Sequence, residues 1–321
     1  NAVSEFAKFT AESLPASNAV VLSDDPTLLY LIQAANAKAG KPTQNVLVET
    51  GSLQHPSYQR YLHQNFPKDW PEPNPTNAIS QVELVQHLER LSQSHKIFYM
   101  NASFGYYFEK FYPIPHALVY ELKLHPGNDI LPPPLSKEII VENQNFWNKF
   151  TKETLPPLPA LGKQSDEVKL INSYYSRALN NWGVQLQKAN LLKEANQAFI
   201  TAVRLNSDNG IAEVNRQFNE NRQRGEFRAV RSDNSSIKNL SRFGSLPNAI
   251  LANGTFDERD FCIQLGILLG QGSNLRQSGQ YFLRAIELDP KSVEARIGLA
   301  KTYIEMQRAD DALKLVRQIH E

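Results

Sequence analysis

Hydrophobic and polar positions in the first half of the chain alternate between two periods. Four short apolar runs are typical of buried strands: residues 19–22, 46–48, 96–100 and 117–124. Two of the intervals between them carry apolar residues at helical spacing: 26–39 and 78–91. Strands that alternate with helices form parallel sheets with helices on both faces. This half is therefore predicted to be an α/β domain with a small, mostly parallel, three-layer sheet.

The second half contains an internal repeat of 34 residues. Residues 259–292 and 293–321 align at that period, and the small Gly266 and the large Phe282 belong to the shared template. This pattern resembles the tetratricopeptide repeat, in which small residues let paired helices approach and large ones fill the gaps. It predicts an all-α domain of helical hairpins. Ordinary antiparallel helix pairs are the alternative.

The repeat array is interrupted. Gly183 and Phe199 occupy template positions in an earlier stretch, but Gly183 lies 83 residues before Gly266, which is not a multiple of 34. The stretch at about 225–257 is rich in Ser, Asn and Gly, and we interpret it as an insertion.

Proline marks the border between two domains. Of the 19 prolines, 17 fall in residues 1–160, and proline ends helices and inner strands. We therefore place the α/β domain at 1–160, the helical domain at 161–321 and the linker at about 154–164.

The chain begins at Asn1 and Ala2 without an initiator Met. We expect these two residues to be the remnant of a cleaved tag, and the chain to be a piece of a longer protein.

Composition and missing motifs exclude several classes of function. The net charge is +1, which argues against a nucleic-acid partner. The single cysteine, Cys262, excludes an internal disulfide framework and a zinc site built from several cysteines. No uncharged apolar run approaches the ~18 residues that cross a bilayer. The sequence lacks G-x-G-x-x-G, G-x-S-x-G and H-E-x-x-H, so no catalytic residue, metal site or cofactor is predicted.

Polar residues follow the predicted strands at the place where α/β sheets bind ligands. Because the carboxyl ends of parallel strands meet at one edge, their loops are predicted to form a polar cleft. One of Ser23, Asp24 and Asp25 caps the following helix, and the plain alternative is that the other carboxylate faces water. We expect the cleft to bind a sugar or a headgroup through six residues: Asp24, Asp25, Glu49, His55, Tyr58 and Asn101.

A cluster of basic residues accounts for the positive charge of the second half. Its seven members are Arg216, Arg222, Arg224, Arg228, Arg231, Lys238 and Arg242. Such a cluster is suited to anionic lipid headgroups or phosphates. The alternative is a solvated helix end that runs into a loop.

Residues 13–33 combine a Leu-Pro pair, a hydrophobic strand, an aspartate-rich turn and a Leu-Tyr-Leu helix, in the order SLPASNAVVLSDDPTLLYLIQ. With the strand at 46–48 and the aromatic segment 56–62, this stretch resembles a bacterial family of multi-spanning membrane proteins related to protein O-mannosyltransferases. The resemblance covers about 12–125 and the repeats. It implies a periplasmic region attached to a glycosyltransferase-like membrane body, whose catalytic acidic residues lie outside this sequence. The turn has less glycine and asparagine than the family's.

Three functions are compatible with these features. We favour a non-catalytic, extracytoplasmic binding and scaffolding region of a membrane-anchored, glycosyltransferase-like protein, whose repeats contact a protein partner or its own membrane domain. The second is a free-standing enzyme or sensor that binds a small sugar or phosphorylated ligand at the strand ends. The third is a soluble, cytoplasmic tetratricopeptide adaptor, which the interrupted array disfavours because a continuous groove needs about three repeats.

Overall fold

The computed structural model describes residues 1–41, 44–72, 79–101, 105–227, 229–230 and 240–320. The chain forms two compact units. The sheet unit comprises Asn1–Ala102, Lys110–His125 and Lys137–Thr154, and the helical unit comprises Ser103–Glu109, Pro126–Ser136 and Leu155–Glu321.

The sheet unit contains a five-stranded sheet in the order β2-β1-β3-β5-β4. Its strands are β1 Ser17–Ser23, β2 Gln44–Glu49, β3 Lys96–Tyr99, β4 Phe111–His116 and β5 Val119–Leu124. β1 pairs in parallel with β2 and β3, as predicted, whereas β5 is antiparallel to both β3 and β4. The sheet is therefore mixed, and the prediction of a mostly parallel sheet is wrong. The physical reason is the short β4–β5 turn, which can join only antiparallel strands.

The sequence pattern missed β4 because Pro113 and Pro115 lie inside it. Proline has no backbone N–H to donate and is excluded from inner strands. β4 is an edge strand, and every second residue of an edge strand directs its N–H away from the sheet. Two prolines at alternate positions are compatible with this arrangement.

Five helices accompany the sheet: α1 Ala2–Glu12, α2 Pro26–Lys38, α3 Pro56–Asn65, α4 Gln81–Leu91 and α5 Lys137–Glu153. Residues 19–23 of β1 are all buried, although successive side chains point to opposite faces. Both faces of the sheet are therefore covered at this strand. The pattern did not predict α1, and the side chain of Asn1 caps it by accepting a hydrogen bond from the Val3 amide.

The helical unit consists of nine helices within the described residues. They are α6 Leu158–Leu161, α7 Asp166–Lys188, α8 Leu192–Leu205, α9 Gly210–Gln223, α10 Leu246–Asn253, α11 Arg259–Gln271, α12 Leu275–Leu288, α13 Val293–Glu305 and α14 Ala309–His320. α7 packs on α8, α11 on α12, and α13 on α14, which are the predicted hairpins. Among the described helices, none is both long enough and apolar enough to cross a membrane.

Glycine–phenylalanine pairs set the close approach of the hairpin helices. A Cβ atom at Gly183 would lie 2.5 Å from the Phe199 ring, and one at Gly266 would lie 2.8 Å from the Phe282 ring. A Cβ at Gly298 would also clash with Phe282. The ring of Phe282 therefore fills the space between α11, α12 and α13, as the repeat template predicts.

Candidate functional site

The carboxyl ends of β1, β2 and β3 lie at the same edge of the sheet. The register pairs Ser23 with Glu49, and Leu22 with both Val48 and Tyr99. The loops that follow these strands therefore emerge together, which is the arrangement that the predicted ligand cleft requires.

Asp24 is held at this edge by two hydroxyl groups, one from β3 and one from the residue that follows β2. Its Oδ1 accepts a hydrogen bond from Thr50 Oγ1 at 2.5 Å and another from the Tyr99 hydroxyl at 2.5 Å. Hydrogen bonds to a carboxylate are charge-assisted and strong. The carboxylate is exposed to solvent and has a fixed orientation, as a ligand-binding group needs.

Asp25 has a structural role. Its side chain caps α2 by accepting a hydrogen bond from the Thr27 amide at 2.9 Å, and Pro26 occupies the first turn. The cap is thus Asp25 among the three residues that the sequence left open. Its neighbour Asp24 is the carboxylate available at the edge.

Tyr58 connects α3 to the end of β2. Its hydroxyl oxygen accepts a hydrogen bond from the Glu49 amide at 2.9 Å. Burial raises the pKa of the Tyr58 hydroxyl, so the group keeps its proton at neutral pH and can donate it in a hydrogen bond.

Two further tyrosines, Tyr61 and Tyr30, lie near Tyr58. The rings of Tyr58 and Tyr61 stack with their centroids 5.9 Å apart. Tyr61 is 52% exposed, and Tyr30, on α2, is 65% exposed. His55 is exposed just before α3, whereas Asn101 is buried just after β3. Whether these residues form one ligand site stays a prediction.

Acidic side chains accompany three of the four described residues of the basic cluster. Arg216 pairs with Glu213 and Glu220, Arg224 lies 4.0 Å from Glu226, and Arg242 lies 3.3 Å from Asp208. The local charge is thus more balanced than the basic residues alone indicate. Arg228, Arg231 and Lys238 lie outside the described residues, and lipid or phosphate binding by this cluster stays a prediction.

Sequence reasoning missed a row of buried amide side chains in the helical unit. We call it the amide seam: Asn180, Asn181, Gln187, Asn209, Asn215 and Asn219, which are at most 3% exposed. Asn215 follows Asn181 by 34 residues, one repeat period. Amides recurring at the repeat period were a signal that could have revealed the seam.

The amide seam binds the backbone of the chain's own segment 253–257. Asn180 Nδ2 donates to the carbonyl oxygens of Asn253 and Thr255, at 3.0 and 3.1 Å. Asn181 Oδ1 accepts from the Thr255 amide at 3.0 Å, and Asn209 Nδ2 donates to the Asn253 carbonyl at 3.0 Å. These contacts satisfy main-chain groups at the end of α10 and in the residues after it, which have no partner within a helix or strand ladder.

The same pattern continues to the end of the segment. Asn215 Nδ2 donates to the Thr255 carbonyl at 3.0 Å, and its Oδ1 accepts from the Asp257 amide at 2.8 Å. Gln187 Nε2 donates to the Asp257 carbonyl at 2.8 Å, while Asn219 Nδ2 donates to Gln187 Oε1 at 2.8 Å. Side chains of α7, of α9 and of the residue that caps α9 therefore hold a non-helical main chain in the manner of a bound peptide.

A buried ion pair fixes the segment to α12. Arg284 Nε and Nη2 donate to the two carboxylate oxygens of Asp257, at 2.7 and 2.6 Å. Burial alone would raise the pKa of Asp257, but the Arg284 guanidinium and Gln187 hold that pKa below its usual value. The pair is therefore charged at neutral pH.

The last hairpin exposes apolar side chains that define the terminal-repeat surface. They are Val293, Ile297 and Ile304 on α13, and Leu313 and Val316 on α14. Val316 is the repeat equivalent of Phe282, which lies 34 residues earlier. Phe282 is 3% exposed, whereas Val316 is 41% exposed. Positions that pack on the next helix in one hairpin thus face solvent in the last.

A cleft of about 280 Å³ lies in the sheet unit beside α1 and α5. Its floor includes Phe9, Phe146 and Phe150, and its rim includes Glu12 and Lys149. An apolar floor with a charged rim is suited to a small amphipathic group.

Across the described residues, no group of three or more His, Cys, Asp or Glu side chains is arranged to hold a metal ion.

Comparison with known proteins supports the interpretation of α12, α13 and α14 as repeat helices. The tetratricopeptide repeat family matches residues 272–321. This range covers α12, α13 and α14, including the terminal-repeat surface. No curated protein matches the chain. Tetratricopeptide repeats mediate protein–protein contacts, which is the general role that this region indicates.

Proposed function

We propose that this chain is a non-catalytic binding and scaffolding region whose helical unit contacts another protein through the terminal-repeat surface. The observation that carries the proposal is the exposure of Leu313 and Val316, at 51% and 41%, in a hairpin whose template positions are buried one repeat earlier. An apolar face of a repeat hairpin is stabilised when another element or a partner covers it.

The amide seam supports this choice of surface. In other respects it is a suitable site for an extended peptide, but segment 253–257 already occupies it. Phe256 is 1% exposed and Asp257 is 0% exposed, so the segment is part of the core. A partner that displaced it would leave the buried Arg284 guanidinium with only the exposed Glu287 carboxylate, at a cost of several kcal/mol. A partner that binds the terminal-repeat surface does not have to displace this segment.

Site-specific crosslinking tests the proposal. A photo-reactive phenylalanine analogue replaces Leu313 in cells that express the full-length gene. The matched control places it at Ile200 on α8, which is 40% exposed and lies outside the terminal-repeat surface. We expect a discrete protein adduct from position 313, and its loss when Val316→Glu is added. Equal labelling from positions 313 and 200, or none from 313, would contradict the proposal.

The second part of the proposal concerns the cellular location of the chain and its attachment to a membrane. We place it on the periplasmic face of a bacterial membrane, as part of a membrane-anchored, glycosyltransferase-like protein. Support comes from the resemblance of residues 13–33, 46–48 and 56–62. The tetratricopeptide match at 272–321 agrees with the repeats included in that resemblance.

Reporter fusions to the full-length gene test this setting. Alkaline phosphatase gains activity only outside the cytoplasm, whereas green fluorescent protein exported in unfolded form stays dark. Fusion after His320 should give phosphatase activity in the membrane fraction and no fluorescence. Fluorescence in the soluble fraction would favour the cytoplasmic adaptor instead.

A second candidate function is weak binding of a sugar at the edge of the sheet. The observation that favours it is the fixed, exposed Asp24 carboxylate, held by Thr50 and Tyr99, together with the exposed rings of Tyr30 and Tyr61. A carboxylate accepts hydrogen bonds from sugar hydroxyls while an aromatic ring covers an apolar sugar face.

Ligand titration by NMR tests the second candidate. Hexoses, N-acetylhexosamines and sugar phosphates are added up to millimolar concentration, and shifts of residues at the edge are followed. Asp24→Ala should abolish the shifts. Asp25→Asn, which keeps an oxygen to cap α2, should leave them unchanged. No shift with any sugar, or shifts that survive Asp24→Ala, would reduce the edge to a structural element.

A further inference from the structure

The cleft of the sheet unit lies between two antiparallel helices, α1 and α5. Thr154, just after α5, donates a hydrogen bond from Oγ1 to Glu5 Oε1 at 3.1 Å. The rings of Phe9 and Phe146 meet edge to face, with their centroids 6.0 Å apart. Rising residue numbers on α1 therefore meet falling numbers on α5, and the cleft follows this direction.

Two carboxylates meet at one end of the cleft. One turn further along each helix, the antiparallel pairing places Glu12 beside Glu142, and both residues line the cleft. The β4–β5 turn closes the same end, because the Ala117 amide donates to the buried Asn143 Oδ1 at 2.8 Å. Glu12 lies 3.8 Å from Lys8, but both of these side chains are exposed and such a pair is weak.

The basic side chains that line the cleft do not neutralise this end. His116 hydrogen-bonds to the Glu121 carboxylate at 3.2 Å and holds the pKa of Glu121 below its usual value. This pair has no net positive charge in either form of the imidazole. Lys149 lies two turns from Glu142 on α5, about 10 Å along the helix axis, and it lies 4.0 Å from Glu153. The closed end of the cleft is therefore negative.

The floor of the cleft is aromatic. It includes the rings of Phe9, Phe146 and Phe150, and Phe150 is buried. Aromatic rings cover an apolar ligand body and attract a nearby cation. The cleft volume, about 280 Å³, lies close to the lower limit of ligand pockets, roughly 300 Å³, so a matching ligand is small.

We propose that this cleft binds a small organic amine. Its ammonium group lies between Glu12 and Glu142 and donates hydrogen bonds to their carboxylates. Its apolar body lies on the phenylalanine rings and extends toward Lys149. The site is separate from the terminal-repeat surface and from the Asp24 edge of the sheet, so its failure would leave both of those proposals intact.

Three ligands of similar shape and different charge test the proposal with the whole chain. Phenethylamine, phenethyl alcohol and hydrocinnamate are titrated, and affinity is measured by NMR. The amine should bind at millimolar concentration or below. The alcohol, which lacks the charge, should bind about fivefold more weakly, and the carboxylate should bind most weakly. Equal affinity for the amine and the alcohol, or no binding of the amine at millimolar concentration, would overturn the proposal.

Charge variants locate the binding site within the cleft. Glu142→Gln should weaken phenethylamine binding about fivefold, and adding Glu12→Gln should weaken it further. Glu153→Gln is the matched control, because Glu153 is exposed on the same helix and does not line the cleft. Lys149→Gln removes a like charge and should not weaken the amine. Equal effects of Glu142→Gln and Glu153→Gln, or weaker binding by Lys149→Gln, would contradict the assigned site.

Discussion

The surroundings of Glu258 move the pKa of its carboxyl group far from the ordinary value. It caps α11 with Oε2, which accepts hydrogen bonds from the Asp260 and Phe261 amides. Oε1 is buried without a hydrogen-bond partner among the described residues. Burial raises the pKa of Glu258 to about 7, so the native state binds a proton that the unfolded chain releases near pH 4.5.

This difference in pKa predicts that the free energy of unfolding depends on pH. A raised pKa in the folded state means that stability is lost as the pH rises from about 4.5 to about 7. Glu258→Gln keeps an oxygen for the cap and cannot ionise. It should raise the free energy of unfolding by up to about 3 kcal/mol above pH 7. Urea titrations at pH 4.5 and pH 8 measure this, and an equal effect at both pH values would contradict it.

The Asp257–Arg284 pair predicts a large loss of stability when one partner is neutralised. Asp257→Asn leaves the guanidinium buried and should lower the free energy of unfolding by about 3–5 kcal/mol. Glu287→Gln is the matched control. Glu287 pairs with the same guanidinium but its side chain is 62% exposed, so its loss should cost less than about 1 kcal/mol. Similar losses for the two variants in urea unfolding would exclude this account.

At the scale of elements, glycine determines how closely the repeat helices pack. Gly266→Ala places a methyl group against the Phe282 ring. Overpacking costs up to about 3 kcal/mol, more than the ~1 kcal/mol gained in helix propensity. We expect a net loss of about 1–2 kcal/mol in thermal unfolding. Gly51→Ala has no atom within 4 Å of the new methyl group, and it should be close to neutral. An unchanged Gly266→Ala variant would show that Phe282 moves aside freely.

The elements that the pattern predicted correctly are those with a local cause. The strands at 19–22 and 46–48, and the α2 cap at Asp25, follow from apolar runs, turn residues and proline geometry. β4 was missed because its prolines are tolerated only at an edge, and a strand is an edge only in relation to the others. The strand at 117–124 was predicted, but its antiparallel direction was not, because that direction depends on its short turn from β4.

At the scale of the whole molecule, charge predicts behaviour toward nucleic acid. The net charge is +1, and three arginines of the basic cluster have acidic neighbours. Few counterions would be released on binding, so we expect no submicromolar affinity for duplex DNA at ~150 mM salt. Fluorescence anisotropy with a labelled duplex measures this. A titration at low salt checks that the probe responds. Submicromolar binding at the higher salt would refute the expectation.

The sequence by itself determined the features that depend on residue type and spacing. The repeat period, the glycine–phenylalanine packing and the polar residues after the strands could all be read from it, because each depends on neighbours in sequence or on a fixed period. The tertiary structure alone decided which groups meet across long separations. It brought Tyr99 to Asp24 and Asn180 to segment 253–257, 75 and 73 residues apart. Spacing along the sequence does not show which distant partner a side chain will find, and burial, which makes such hydrogen bonds necessary, exists only once the chain has folded.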